Sequence, residues 1–320
     1  MTGKYEVVVK DVHIQYKFTV NRNITILRGD SATGKTNLID MIFAFQTGGI
    51  SSGVTVLSKK PCVVLSSLNW QLNLSAISDS IVFIDEGDAF IKSKEFAECV
   101  QQSDNYYVIA TRNALSNLPY SIKEIYGIKN KAGNKYQGTK RLYSEFYNIY
   151  KDEVLKVDKP DLVIVEDSNS AFDFYKAICD SINIICLSAG GKSSIYNNIL
   201  NSGKDKIMVI ADGAAFGPEI ERVLSLSRVK KLIVFLPESF EWLVLKSDLI
   251  DNVAKELEDT ADYVDSQKYV SWERFFTSLL IERTKGTYLS YKKNKLNPAY
   301  LNKNELQKII KNIPVFEINQ

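Results

Sequence analysis

Short runs rich in Val, Ile, Tyr, Phe and Thr, with turn residues between them, open the chain, so residues 6–9, 12–20 and 24–28 read as strands. Apolar positions then recur at Leu38, Ile39, Met41, Ile42 and Phe45, the spacing of one helix face, until Gly48 and Gly49 stop the pattern. Two more apolar runs, 80–84 and 106–110, predict buried strands. Residues 143–150 predict a helix, and the polar stretch 151–160 a linker. Beyond Pro160, strand-like runs at 161–166, 182–188, 206–211 and 231–236 alternate with helical stretches at 171–180, 194–200 and 218–226. Such alternation predicts a parallel sheet covered on both faces. From residue 246 onward the pattern is helical, with Trp272, Phe275, Phe276, Leu279 and Leu280 forming an apolar stripe. The expected organisation is α/β throughout: an N-terminal domain at 1–150, a second α/β domain at 151–245 and a helical C-terminal cap at 246–320.

Between the third strand and its helix stands Gly29-Asp30-Ser31-Ala32-Thr33-Gly34-Lys35-Thr36, which fits GxxxxGK[ST] in the strand, loop, helix context that this P-loop motif requires. The glycines let the backbone curl so that its amides face phosphates, and the helix N-terminus adds partial positive charge. Lys35 would reach the β- and γ-phosphates, and Thr36 would offer its hydroxyl to Mg²⁺. The run 80–84 ends in Asp85 and Glu86, the Walker B arrangement of a metal-holding Asp and a Glu able to orient water. The strand 106–110 ends in Thr111, Arg112 and Asn113, with Asn113 or Thr111 placed to sense the γ-phosphate. No NKxD-like guanine-reading segment stands out, and ATP with Mg²⁺ is the expected ligand pair. These features together resemble a reduced ATPase of the ABC, SMC and RecF-like group. Only about fifty residues separate Lys35 from Asp85 and no LSGGQ-like signature intervenes, so a compact AAA-like placement stays open.

The second half carries acids at strand ends, where open parallel sheets bind ligands. Glu166 ends the first strand, Asp212 the third, and Glu238 and Glu241 follow the fourth. The strings Ile164-Val165-Glu166-Asp167, Ala189-Gly190-Gly191-Lys192-Ser193 and Ala211-Asp212-Gly213-Ala214 resemble, in order and spacing, the TOPRIM domain of OLD-family nucleases, topoisomerases and primases. That resemblance implies a Mg²⁺ site at Glu166 and Asp212 for phosphodiester cleavage, with Lys192 beside a scissile phosphate. Two departures stand out: the second Asp of the usual Asp-x-Asp falls at Ala214, and the Gly expected after the first-strand Glu is Asp167. Asp167 or Glu241 would have to complete the metal shell.

Composition narrows the alternatives. The single histidine, His13, leaves no material for a Ser-His-Asp triad or a multi-histidine metal site. Cys62, Cys99, Cys179 and Cys186 lack paired zinc or disulfide spacing and read as reduced, buried thiols. No apolar run reaches membrane-spanning length, so a cytoplasmic protein without a membrane partner is expected. The net charge is only +2, but Lys129, Lys131, Lys135, Lys140 and Arg141 make a basic hairpin or loop suited to phosphate backbones. The tail interleaves lysines with Tyr288, Tyr291 and Tyr300, a pattern that suits nucleic-acid stacking and a helical cap's core equally.

The expected function is that of a shortened OLD-like protein of a mobile-element or anti-phage setting, hydrolysing ATP through Lys35, Thr36, Asp85 and Glu86. Glu166, Asp212 and Glu241 would cleave DNA or RNA, with homo-oligomers or a protein partner allowed. Two rivals stay open: a nucleotide switch whose TOPRIM-like half is catalytically silent, and an ATPase that loads or scaffolds a separate nuclease.

Overall fold

The structure, a computed structural model, describes residues 1–29, 33–132, 142–150 and 159–313, with the backbone alone at 131 and 132. The chain divides into two units, one of residues 1–151 with 261–271, the other of 152–260 with 272–320. Each is α/β.

The first unit is built on a nine-stranded mixed sheet. In chain order its strands are β1 (Tyr5–Lys10), β2 (Ile14–Val20), β3 (Ile24–Leu27), β4 (Thr55–Ser58), β5 (Cys62–Val64), β6 (Ile81–Ile84), β7 (Tyr106–Ala110), β8 (Ile125–Ala132) and β9 (Leu142–Asn148). Across the sheet they run β4-β1-β2-β9-β8-β3-β7-β6-β5. The half from β8 to β5 is parallel, and every residue of β3, β6 and β7 is buried. Such continuously apolar strands suit a sheet covered on both faces. Helix α1 (Lys35–Gly48) buries Leu38, Ile39, Met41 and Ile42 in the same core as Val9, Leu27, Phe83 and Val108. Each such side chain contributes about 1.5–3 kcal/mol by leaving water. Helices α2 (Trp70–Ser75) and α3 (Lys94–Gln102) follow, and Trp70 stacks on Phe90 with ring centroids 4.9 Å apart.

One element departs from the sequence expectation. Residues 142–148 form a strand where 143–150 predicts a helix. This strand pairs antiparallel with β8 from Ala132↔Leu142 to Tyr126↔Asn148, and parallel with β2 from Ile14↔Leu142. Phe146 stacks on Phe18 with centroids 4.1 Å apart and planes 7° apart, and Ser144 is buried two residues away. Cross-strand aromatic packing of this kind overrides local helix propensity. In the basic segment, Lys129 lies on β8, whereas Lys135, Lys140, Arg141 and the Lys131 side chain lie outside the described residues, as does most of the linker.

The second unit carries an all-parallel sheet in the order β11-β10-β12-β13, from β10 (Leu162–Val165), β11 (Ile185–Ser188), β12 (Lys206–Ile210) and β13 (Lys231–Phe235). Its helices are α4 (Ser170–Ser181), α5 (Ile195–Asn201), α6 (Ile220–Ser225), α7 (Phe240–Leu245) and α8 (Ala254–Glu258). After α9 (Thr260–Tyr263) and the passage through the first unit, α10 (Trp272–Thr284) and α11 (Lys303–Ile310) complete it. The stripe Phe275, Phe276, Leu279 and Leu280 is buried. Tyr291 and Tyr300 are core residues too, the Tyr300 hydroxyl donating to the Leu289 carbonyl at 2.6 Å, while Tyr288 is exposed. Nucleic-acid stacking on Tyr291 or Tyr300 is thereby ruled out in this fold. All four cysteines are free thiols, Cys179 and Cys186 buried and Cys62 and Cys99 half-buried. Among the described residues no helix is long and apolar enough to cross a membrane.

Candidate functional site

In the first unit the register Leu27↔Ala110 and Ile84↔Ile109 sets the ends of β3, β7 and β6 side by side. Within the parallel half of the sheet, the strand that comes next in the chain after β3 is β5, beyond β7 and β6, with β4 intervening at the opposite edge, whereas β7 is followed by β8 on the other side of β3. The crevice between β3 and β7 is therefore a topological switch point, where open α/β sheets bind ligands. Gly29, Thr111 and Asp85 are the residues found at this edge.

Gly29 and Gly34 have φ of 141° and 92°, in the region only glycine enters without strain. A Cβ on Gly34 would also lie 2.9 Å from the Tyr16 hydroxyl, which donates to the Gly34 carbonyl and accepts from Asn37. Lys35 is buried and folded back over its own turn, its Nζ donating to the Gly29 carbonyl at 2.6 Å and to Thr33 Oγ1 at 3.2 Å. Thr36 is exposed in the first turn of α1. Asp30, Ser31 and Ala32 lie outside the described residues.

Asp85 accepts the Glu86 N–H at 2.8 Å. Glu86 receives a two-pronged pair from Arg112, Nη2 to Oε1 at 2.8 Å and Nε to Oε2 at 3.2 Å, the fork geometry that guanidinium and carboxylate favour. The Thr111 hydroxyl is taken up locally, donating to the Asn113 carbonyl and accepting its N–H, while the Asn113 side chain stays exposed. Arg112, which the sequence ranks behind Thr111 and Asn113 for contact with the nucleotide, is the residue of the three that pairs with Glu86.

In the second unit β10 leads to β11 on one side while β12 leads to β13 on the other, so the switch point lies between β10 and β12. Glu166 follows β10 and Asp212 follows β12. The Asp212 N–H donates to Glu166 Oε2 at 3.1 Å. Burial pushes the Glu166 carboxyl up to about 7, with Glu273 and Asp167 adding to the rise and the Asp212 N–H and Lys192 opposing it. Asp212 is pushed well above the carboxylate range, by burial first and then by Glu273, Glu166 and Glu241.

The helical C-terminal region supplies residues that sequence reasoning did not assign to this site. Tyr291 donates to Glu241 Oε1 at 2.9 Å and shares a 2.8 Å bond with the Ser170 hydroxyl, all three side chains being buried. Lys293 pairs with Glu273 at 2.7 Å. Burial opposes the Lys293 charge, but the carboxylates of Glu273, Glu241 and Asp212 together outweigh it and raise its pKa. An acid in the first turn of α10 reads from sequence as ordinary helix-dipole chemistry, so no linear signal marks Glu273. Lys192 Nζ donates to the Ala215 carbonyl at 2.9 Å. Asp167 caps its own loop, accepting from the Ser168 N–H and from Asn169. Ala214 is buried and gives its N–H to the Glu238 carbonyl. Among the described residues no three His, Cys, Asp or Glu side chains are grouped so as to hold a metal ion by themselves.

Gly213 fixes the position of Asp212. Its N–H donates to the Pro237 carbonyl at 2.6 Å, and a Cβ there would stand 2.6 Å from the Leu236 oxygen and 2.9 Å from that of Pro237. Backbone oxygens cannot swing aside as side chains do. Gly213→Ala is therefore expected to lower stability by about 1–3 kcal/mol. A urea titration measures this, and a midpoint equal to wild type would mean that the loops after β12 and β13 part freely.

No protein-family model matches the chain, and neither a curated protein nor a solved structure does.

Proposed function

We propose that the chain is an ATP-hydrolysing P-loop protein whose second, TOPRIM-like unit cleaves nucleic acid with Mg²⁺, in the manner of a shortened OLD-family nuclease. One observation carries the reading: in both sheets the residues able to do this chemistry stand at the carboxyl edge, at the switch point. In the first unit the Lys35 ammonium exchanges its loop partners for β- and γ-phosphate oxygens, with Thr36 and Asp85 as the oxygen donors for Mg²⁺. Glu86 orients the attacking water once Arg112 has released it, and Arg112 or Asn113 then meets the γ-phosphate.

In the second unit the residues present fit Mg²⁺. That ion keeps several waters and is commonly held by one or two carboxylates together with substrate phosphates. Glu166, which accepts the Asp212 backbone N–H at 3.1 Å, and Asp212 both have their charged forms disfavoured by burial, and a nearby cation would relieve this. Bound there, the ion supplies charge neutralisation and an activated water for phosphodiester hydrolysis. Glu241 is kept in place by Tyr291, and Lys192 is the group to meet a scissile phosphate. DNA or RNA is the partner this chemistry calls for, and an anti-phage or mobile-element role is the biological setting it suits.

A second reading, a nucleotide switch with a catalytically silent second unit, is favoured by Ala214, whose position offers no carboxylate. Incubation of supercoiled plasmid, single-stranded DNA and RNA with the purified protein in Mg²⁺ or Mn²⁺, with and without ATP, separates the two. Cation-dependent cleavage supports the nuclease. Intact substrates alongside steady ATP turnover would sink it and leave the switch, or an ATPase that loads or scaffolds a separate nuclease.

A further inference from the structure

Tyr175 sits on α4 with 1% of its surface exposed, its ring edge-on to Phe174 and Phe240. Among the described residues its hydroxyl has no hydrogen-bond partner, although buried phenols nearly always find one. The ring borders a cavity of ≈ 10 Å³, whose other walls include Glu166, Asp167, Asp212, Pro237 and Phe240. That is about the space one water centre needs, and three acids, Glu166, Asp167 and Asp212, are among the residues that line it. Burial, then the charges of Asp212 and Glu241, raise the phenol's pKa well above its ordinary value, so at neutral pH the group is a donor. A buried donor, two carboxylates acceptor-rich by nature and a water-sized space are the elements of an outer coordination shell.

We propose that the Tyr175 hydroxyl is a positioning donor for the cation site, holding, once the cation is bound, a water or a turned carboxylate of Asp212 in the cavity that Glu166 and Asp212 line. This rests on the reading of Glu166 and Asp212 as cation ligands. The division of labour is then definite: Tyr291 holds Glu241, and Tyr175 serves Asp212. Without an oxygen to take its proton the hydroxyl is a buried group left unsatisfied, which is why its removal discriminates between roles. A merely structural tyrosine would lose stability when its hydroxyl is deleted; an orphaned one would not.

The test is Mn²⁺ binding to the full-length protein by calorimetry, in wild type, Tyr175→Phe and Glu166→Ala, with the metal-free Tm of each. Tyr175→Phe keeps the ring and its packing. The expected result is Mn²⁺ affinity weakened about tenfold or more, the usual effect of deleting an outer-shell partner, with a metal-free Tm equal to or above wild type. Unchanged Mn²⁺ affinity in Tyr175→Phe, while Glu166→Ala abolishes binding, overturns the role of Tyr175 and leaves the cation site standing. A fall in metal-free Tm together with weaker binding also overturns it, because the hydroxyl then serves the fold. Mn²⁺ binding indifferent to Glu166→Ala removes the cation site itself and this inference with it.

Discussion

Lys35→Ala is expected to reduce ATP turnover by about a hundredfold or more while leaving the fold intact. The ammonium lies 2.6 Å from the Gly29 carbonyl, inside the turn where phosphates would lie, and it is buried before any ligand arrives. Preorganised charge in such a water-poor place stabilises developing negative charge far more than the same charge in water, and losing one such donor costs on the order of 10²–10³ in rate. The core face of α1, carried by Leu38, Ile39, Met41 and Ile42, is untouched by the substitution. Phosphate release measured at saturating ATP, with a melting curve beside it, checks both parts. Turnover within about threefold of wild type would remove Lys35, and the whole 29–36 turn, from the catalytic account. If cleavage of nucleic acid is governed by nucleotide state, it should change in the same variant; equal cleavage would mean that the two units work independently.

Glu166→Gln is expected to abolish cleavage and, in metal-free buffer, to make the protein more stable above neutral pH. The Glu166 carboxyl rises from an ordinary 4.5 to about 7 on folding, because burial penalises its charge. A group raised in this way contributes its stability below the unfolded value and loses it as pH climbs through the folded one. Wild-type Tm should therefore fall between about pH 4.5 and pH 7.5, and the variant's should fall less. The gain at pH 8 is at most about 3.5 kcal/mol, from a rise of about 2.5 pH units at about 1.4 kcal/mol each. Adding Mg²⁺ should raise the wild-type Tm at pH 8, since the cation relieves the same charge, and should leave the variant's nearly still. Parallel pH curves for the two proteins would mean that Glu166 is solvated and ordinary. Retained cleavage in the variant would place the chemistry elsewhere.

Much of the first candidate site is readable from the residues because the proposed chemistry is local. A strand before residues 29–36 and a helix from Lys35 are present, and Gly29 and Gly34 both have positive φ, as a phosphate-binding turn would need. The strand end at Asp85 and Glu86 was equally readable, since Ile81–Ile84 is a buried run with acids directly behind it. The strand at 142–148 was misread because its aromatic residues fit either period over so short a stretch. Its pairing with β2 and β8 decided the matter, and β2 lies far from it in the chain. Arg112 was passed over for a related reason: its fork on Glu86 joins residues 26 apart, and only the adjacency of β6 and β7 brings them together.

By itself, then, the order of residues determined the α/β alternation, the strand, turn and helix around Lys35, and the acids placed at strand ends, because each depends on spacing within one or two neighbouring elements. Tertiary structure alone decided which strands are neighbours, and so where each sheet reverses its direction of winding. It alone brought Tyr291, Lys293 and Glu273 to Glu241 and Asp212, across as many as 81 positions between Asp212 and Lys293. It also decided between the two readings of Tyr291 and Tyr300 by placing both in the core, and it buried Tyr175 against an acid pair with its hydroxyl unanswered among the described residues. The physical reason is common to all of these: burial, and the cost it sets on every charge and hydroxyl, is a property of packed neighbours and not of the local sequence.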